Sequence, residues 1–209
     1  MSGPDVILFD IGGVLFCDPW ETLVLTPGRG LADRLGVPMD VARAAGVRLW
    51  GRYSGEVADE SSYWADMGVE VGVTVPPELV REVECELLSP SPWAHELLAQ
   101  AAATGAEFGI ASNNTSFWFA KQSKKLGLSE WINEDLVFVS QELGVAKSEP
   151  GEGLFEIAAE QLRGRQVSLV EDRPENLRRA EGLGIRALDY SFERDRDAFP
   201  NFLSSRVRL

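Results

Sequence analysis

The segment most informative about the fold lies near the N-terminus and reads Val6-Ile7-Leu8-Phe9-Asp10-Ile11-Gly12-Gly13-Val14-Leu15. Its apolar residues 6–9 predict a strand that is buried on both faces, as strands of parallel sheets are. Asp10 follows at the carboxyl end of that strand, where open α/β sheets bind their ligands. The glycines at positions 12 and 13 allow the backbone to approach a bound group closely. The stretch indicates a carboxylate nucleophile, although an aspartate beside glycines also forms ordinary turns.

Two further buried stretches end in polar residues in the same way. Phe108-Gly109-Ile110-Ala111-Ser112-Asn113-Asn114 stops at small hydrogen-bonding groups before a predicted helix, and Ser112 with the amides after it can cradle an anion. Val167-Ser168-Leu169-Val170-Glu171-Asp172 ends in adjacent acids, and Pro174 is placed to open the next helix. Paired acids at the end of a strand suit a hard cation such as Mg²⁺, which takes oxygen ligands.

Lys147 lies in Leu143-Gly144-Val145-Ala146-Lys147-Ser148-Glu149-Pro150, before a predicted helix through Leu162. There it can supply a fixed positive charge. Each candidate also has an ordinary explanation: Ser112 as a helix cap, Lys147 as a solvated surface charge, and Glu171 with Asp172 as a turn. Their coincidence with Asp10 at the ends of predicted elements in one chain favours a common site.

In this order and spacing the four segments resemble the motifs of the haloacid dehalogenase-like (HAD) hydrolase superfamily, over nearly the whole chain. The resemblance implies that Asp10 is the nucleophile and that Ser112 and Lys147 assist it. It implies a phosphate-binding set and a Mg²⁺-binding set. By this resemblance, the phosphate would be held by Gly12, Gly13, Ser112, Asn113, Asn114 and Lys147. The metal would be held by Asp10, the Gly12 carbonyl and Asp172, with Glu171 supporting the metal shell.

The activity implied by the resemblance is Mg²⁺-dependent hydrolysis of a small phosphorylated metabolite, with a sugar phosphate as one candidate. Attack by Asp10 would give an aspartyl-phosphate that water then hydrolyses, while Mg²⁺ and Lys147 supply the positive charge that the attack requires. Two alternatives stay open. In the first alternative, the chain is a non-catalytic phosphate-binding member; in the second, it catalyses another group transfer, as a mutase or a dehalogenase.

The sequence departs from the family pattern at Gly12, where a second aspartate usually acts as general acid and base. A branch of bacterial sugar-1-phosphate phosphatases, which Asp10-Ile11-Gly12-Gly13-Val14 resembles, also lacks that acid, and Glu171-Asp172 resembles the β-phosphoglucomutase-like variant of the last motif. Asp18 either replaces the missing acid or forms a turn before Pro19. Asn176 either supports the metal loop or is an ordinary polar residue of a first helical turn.

Periodicity and composition predict an α/β protein with a doubly wound, Rossmann-like parallel sheet and an inserted all-helical cap. We expect the core to comprise residues 1–17 and 91–209 and the cap residues 18–90. The cap helices are predicted at Gly30 to Leu35, Met39 to Tyr53, Asp59 to Met67 and Pro77 to Leu88, whereas the tail from Arg194 to Leu209 has no assigned form.

The 209 residues suffice for a large core, and their net charge of −13 argues against nucleic acid or an anionic membrane as partner. The sequence shows no export signal or membrane span and has only two cysteines, predicted to be reduced thiols, so we expect a cytoplasmic enzyme. Its oligomeric state is not predicted.

Overall fold

Five strands form the central sheet, and the computed structural model describes residues 5–149, 151–194 and 197–206. The strands are β1 (Val6–Phe9), β2 (Glu107–Ser112), β3 (Val137–Val139), β4 (Val167–Glu171) and β5 (Arg186–Asp189). They pair in parallel in the spatial order β3-β2-β1-β4-β5. The central β1 places Phe9 beside Ile110 of β2 and Val170 of β4. The predicted parallel α/β sheet is confirmed.

The chain between β1 and β2 is helical. It comprises α1 (Pro19–Leu25), α2 (Leu31–Leu35), α3 (Met39–Tyr53), α4 (Glu60–Val71), α5 (Pro77–Leu87) and α6 (Ala94–Ala102). The bounds of α3 are as predicted, but α1 was not predicted. Proline at the first position of α1 lacks the N–H that a helix start leaves unpaired, and Trp20, Leu23 and Val24 are buried. The division into residues 18–90 and a core stays a prediction.

The remaining α-helices are α7 (Ser116–Leu126), α8 (Ser140–Leu143), α9 (Leu154–Gln161), α10 (Pro174–Gly182) and α11 (Ala198–Arg206), and short 3₁₀ helices cover Leu128–Glu130 and Glu134–Leu136. Helix α11 forms in the tail that had no assigned form, while Pro150, which precedes the predicted helix through Leu162, lies outside the described residues. Alternate residues of β1 enter different apolar clusters, with Ile7 and Phe9 in one and Val6 and Leu8 in the other. Both faces of the sheet are therefore covered.

An aromatic cluster connects helices α3 and α4 to α7. The fully buried Trp118 of α7 stacks on Trp50 of α3, with ring centroids 6.0 Å apart, and meets Tyr63 and Trp64 of α4 edge-on at 5.0 and 6.0 Å. Such pairs add to the stabilisation from the area that they bury. Within the described ranges, no helix is long and apolar enough to cross a membrane.

Candidate active site

Three predicted site residues meet at the carboxyl edge of the sheet. Asp10 follows β1, Ser112 ends β2 and Glu171 ends β4, and these three strands are neighbours. The Asp10 amide donates to the Val170 carbonyl at 2.9 Å, so the ladder continues to the candidate nucleophile. Asp10, Ser112 and Glu171 are 6%, 1% and 0% exposed. Parallel pairing thus brings together residues that are far apart in the sequence.

Lys147 is buried against two of these carboxylates. Its Nζ lies 2.8 Å from Asp10 Oδ2 and 2.7 Å from Glu171 Oε2, and its side chain is 1% exposed. Burial by itself lowers the pKa of this ammonium group, but the two carboxylates outweigh burial and raise its pKa. Lys147 therefore carries a fixed positive charge inside the protein, and its reading as a solvated surface charge is wrong.

Glu171 is hydrogen-bonded through both oxygens. Besides the contact with Lys147, Oε2 accepts from Asn176 Nδ2 at 3.1 Å, and Oε1 accepts from the backbone N–H groups of Asp172 and Arg173 at 3.0 Å each. Burial raises the pKa of Glu171, but Lys147 and these donors lower it overall, so Glu171 is ionised. Glu171 connects Lys147 to the loop that carries Asp172. Of the two readings of Asn176, support of this loop fits the contact.

Asp10, Glu171 and Asp172 form a cluster in which one oxygen from each lies within 4.8 Å of the others. Burial, followed by the charge of Glu171, raises the pKa of Asp10 to about 7. Burial, followed by the contact with Glu171 and the charge of Asp10, raises the pKa of Asp172 to about 8. In the described part of the chain, Asp172 Oδ1 is buried without a hydrogen-bond partner. Crowded carboxylates with an unsatisfied oxygen fit a hard cation such as Mg²⁺.

The glycine turn after Asp10 leaves room for carboxylates. Gly13 has a φ of +70°, and a Cβ there would collide with Asp172 Oδ2 and lie 2.8 Å from its Cγ. A Cβ at Gly12 would collide with Asp18 Oδ1 and lie 3.2 Å from its Cγ. Only glycine permits both close approaches. The turn therefore packs its backbone directly against the side chains of Asp172 and Asp18.

Ser112 and Asn113 both lie beside the carboxylate cluster, but their side chains contact different groups. The Ser112 hydroxyl is placed to hydrogen-bond Asp10 and lowers the pKa of that carboxyl, against the larger effect of burial. The Asn113 side-chain oxygen accepts from the Lys147 backbone N–H at 2.9 Å. Asn113 therefore fixes the loop of the buried lysine, a contact that sequence reasoning did not predict.

Asn114 is 2% exposed and bonds within the fold. Its Nδ2 donates to Gln122 Oε1 at 2.7 Å, its Oδ1 accepts from the Thr115 N–H at 2.9 Å, and its own backbone N–H donates to Ser140 Oγ at 3.0 Å. These contacts tie the end of β2 to α7 and α8. They give no support to the prediction that Asn114 binds phosphate, because its hydrogen-bonding groups already have partners.

Arg173 is a residue of this site that sequence reasoning missed, although its position directly after Asp172 was an available signal. Its Nη2 lies 3.5 Å from Asp18 Oδ2. Burial raises the pKa of Asp18, against the lowering effect of Arg173 and Lys147. Asp18 and Arg173 thus extend the charged network away from the sheet.

A groove of about 980 Å³ lies elsewhere, between α4 and α5. Its lining includes Trp64, Val80 and Lys121 and is mostly apolar. None of the predicted site residues lines this groove, so it is separate from the carboxylate cluster.

The sequence matches no protein-family model and no curated protein. Solved structures are similar in fold. A HAD family enzyme from Bacteroides thetaiotaomicron superposes with a TM-score of 0.72 at 16% identity, covering 94% of this chain and 98% of that chain. A HAD-like family hydrolase from Porphyromonas gingivalis gives a TM-score of 0.69 at 17% identity, covering 99% of this chain and 98% of that one.

A structure with a different named activity is also similar. The L-2-haloacid dehalogenase from Xanthobacter autotrophicus has a TM-score of 0.58 at 21% identity, covering 88% of this chain and 76% of that chain. The resemblance predicted from the four motifs is confirmed at the level of architecture. This chain has the fold of the haloacid dehalogenase-like superfamily.

Proposed function

We propose that this protein is a Mg²⁺-dependent phosphohydrolase that acts on a small phosphorylated metabolite, with a sugar phosphate as one candidate. The observation that carries the proposal is the buried ammonium group of Lys147 between Asp10 and Glu171, beside the three-carboxylate cluster. A carboxylate nucleophile and a phosphate dianion repel each other, and preorganised positive charge offsets that repulsion. The Bacteroides thetaiotaomicron enzyme of this fold was solved in complex with magnesium and inorganic phosphate, which supports the same ligands here.

Asp10 is the nucleophile in this proposal. Its Oδ1 accepts a hydrogen bond from the Ile11 backbone N–H at 2.7 Å, and its Oδ2 faces Lys147. The carboxyl group is therefore oriented before a substrate arrives, which lowers the entropic cost of attack. Attack on phosphorus gives an aspartyl-phosphate, and water then hydrolyses it, so one difficult step is divided into two easier ones. The Ser112 hydroxyl is placed to donate to a phosphate oxygen.

Asp10, Asp172 and the carbonyl of Gly12 would hold Mg²⁺. The unpaired Oδ1 of Asp172 supports this assignment, whereas both oxygens of Glu171 already accept hydrogen bonds and fit a supporting position. When bound, Mg²⁺ would supply positive charge that offsets the repulsion of a carboxylate and a phosphate. Because the dehalogenase shares the fold, fold alone does not select the reaction. The acid cluster favours a metal-dependent reaction over halide displacement.

The test is release of nitrophenol from an aryl phosphate ester by the full chain. We expect turnover with Mg²⁺, its loss on chelation, and no turnover in Asp10→Asn. A matched control is Asp40→Asn, which makes the same chemical change at an exposed position of α3 and should keep parent activity. Activity of Asp10→Asn near the parent level would contradict the assigned nucleophile. Binding of inorganic phosphate without turnover of any ester would favour the non-catalytic alternative.

A further inference from the structure

Hydrolysis of an alkyl phosphate, the function proposed above and the basis of this inference, requires a proton at the leaving oxygen. When the phosphorus–oxygen bond breaks, that oxygen departs as a high-energy alkoxide unless an acid protonates it. The turn after Asp10 offers no acid of its own, because residues 11–14 are Ile11, Gly12, Gly13 and Val14. The proton donor must come from another part of the chain.

The space beside Gly12 is already filled by a carboxyl group. A Cβ at position 12 would collide with Asp18 Oδ1 and lie 3.2 Å from Asp18 Cγ. Asp18 therefore occupies the volume that a side chain of residue 12 would take, two residues after the proposed nucleophile. It is also close enough to Lys147, Glu171 and Asp172 to interact with them electrostatically.

The side chain of Asp18 does not cap helix α1, although Asp18 occupies the N-cap position. It is the N-cap residue of α1, where an aspartate ordinarily accepts a hydrogen bond from the first turn, but its side chain makes no such bond. Instead, Oδ2 faces Arg173 Nη2 at 3.5 Å, and Oδ1 is the oxygen nearest Gly12. The side chain is 23% exposed, so a substrate and water can reach it. The contact with Arg173 orients it toward the site.

The other acids of the site have different tasks. Asp10 attacks phosphorus, and Asp172 is assigned to the metal. Glu171 accepts from four donors, which leaves it no proton to give. Asp18 is the remaining carboxyl group in the charged network described above.

We propose that Asp18 is the general acid and base of the reaction, supplied from the N-terminus of α1 in place of a side chain at position 12. In the first step, an Asp10 oxygen bonds to phosphorus, the bond from phosphorus to the ester oxygen breaks, and that oxygen takes the Asp18 proton and leaves as the alcohol. In the second step, Asp18 accepts a proton from water as the water oxygen bonds to phosphorus. The bond to Asp10 then breaks, which releases hydrogen phosphate and restores both aspartates.

The experiment compares kcat/KM across phosphate monoesters whose leaving groups differ in pKa, from nitrophenol to a simple alcohol. We expect Asp18→Asn to stay near the parent with nitrophenyl phosphate and to lose roughly 10²–10⁴-fold with alkyl esters, so the dependence on leaving-group pKa becomes steeper. Glu21→Gln, three residues further along α1, is the matched control and should keep the parent slope. Thermal melting of each variant checks that it is folded.

A double variant provides an independent test. Asp18→Ala clears the space beside residue 12, so combining it with Gly12→Asp should recover alkyl ester turnover and the parent slope, whereas Asp18→Ala alone should not. An active parent with an unchanged slope in Asp18→Asn, or an equal loss on all esters without rescue in the double variant, would overturn the role of Asp18 alone. A parent that is inactive on every ester would overturn the phosphohydrolase proposal as well.

Discussion

Two lysines of this protein each lie between two carboxylates, in surroundings that differ. Lys147, at the carboxyl edge of the sheet, is 1% exposed and contacts Asp10 and Glu171. Lys121, in α7, is 30% exposed, and its Nζ lies 2.7 Å from oxygens of Glu60 in α4 and Glu84 in α5. The contacts are alike, but only Lys121 shares them with water.

The protein bears a larger desolvation cost in the buried network around Lys147 than in the more exposed network around Lys121. Removing charges from water is expensive even when they are paired, so the cluster around Lys147 is a poor way to stabilise a fold. The cluster instead changes the chemistry of Asp10, whose pKa is raised to about 7, chiefly by burial. Around Lys121, the paired charges remain partly exposed to water, so their desolvation costs less free energy. A perturbed carboxylate in a buried network is typical of a functional site.

The largest effect should follow from breaking the buried network. Lys147→Met keeps most of the length of the side chain but leaves Glu171 and Asp10 without their counter-charge. We expect phosphate release to be lost and the free energy of unfolding to fall by about 3–5 kcal/mol, as when one partner of a buried ion pair is removed. Denaturant unfolding at neutral pH measures the second effect. A loss below about 1 kcal/mol would show that solvent reaches this network.

The next effect separates the two acids at the end of β4. Asp172→Asn should weaken Mg²⁺ binding more than Glu171→Gln does, because Glu171 is assigned to a supporting position, where substitutions cost roughly 10–100-fold in metal affinity. In the metal-free protein the order should reverse. Glu171→Gln removes the charge opposite Lys147 and should destabilise, while Asp172→Asn relieves repulsion.

Calorimetric Mg²⁺ titration and thermal melting of both variants measure these quantities without an activity assay. Asp172→Asn that binds Mg²⁺ as tightly as the parent would contradict its assignment as a metal ligand.

Much of the sheet and of the site at its carboxyl edge could be predicted from the sequence, because the strands have recognisable apolar patterns. Short, mostly apolar runs predict β1, β2 and β4, and parallel pairing then requires Asp10, Ser112 and Glu171 to meet at one edge. The positions of the candidate site residues along the chain follow from local pattern alone. The bounds of α3 also follow, since its apolar residues recur at helical spacing.

Contacts across the fold could not be predicted. Nothing local indicates that Asn113 turns its oxygen to the Lys147 backbone while Asn114 turns to Gln122. Helix α1 was not predicted, because Pro19 after Asp18 is also typical of a turn. The helix is stabilised by the burial of its own apolar side chains against α3. Such choices depend on packing that only the folded chain provides.

A smaller effect concerns pH. The pKa of Asp10 is raised from 3.8 to about 7 and that of Asp172 from 3.8 to about 8, mainly by burial. Across that range the metal-free folded state holds protons that the unfolded chain has released, so its free energy of unfolding falls as pH rises. Mg²⁺ must displace these protons and should bind more tightly as pH rises.

We therefore expect Mg²⁺ to raise the melting temperature more at about pH 8.5 than at about pH 5.5. In Asp172→Asn this difference should shrink. A Mg²⁺ effect that is equal at both pH values would contradict displacement of protons from these carboxylates.

The smallest effect should come from Lys121→Met, the same chemical change as at Lys147 in the more exposed network. Glu60 and Glu84 would lose their shared counter-charge, but their side chains are 27% and 12% exposed, so water can solvate them. The pKa of Glu84 is already raised by burial, and the variant should raise it further. We expect the free energy of unfolding to fall by less than about 1 kcal/mol, as for other accessible ion pairs. The loss should be greater at neutral pH than at acidic pH, where Glu84 is protonated. Phosphate release should be unchanged. A destabilisation equal to that of Lys147→Met would mean that exposure does not separate the two networks, and that the charged contacts among α4, α5 and α7 hold the fold as firmly as those at the sheet edge.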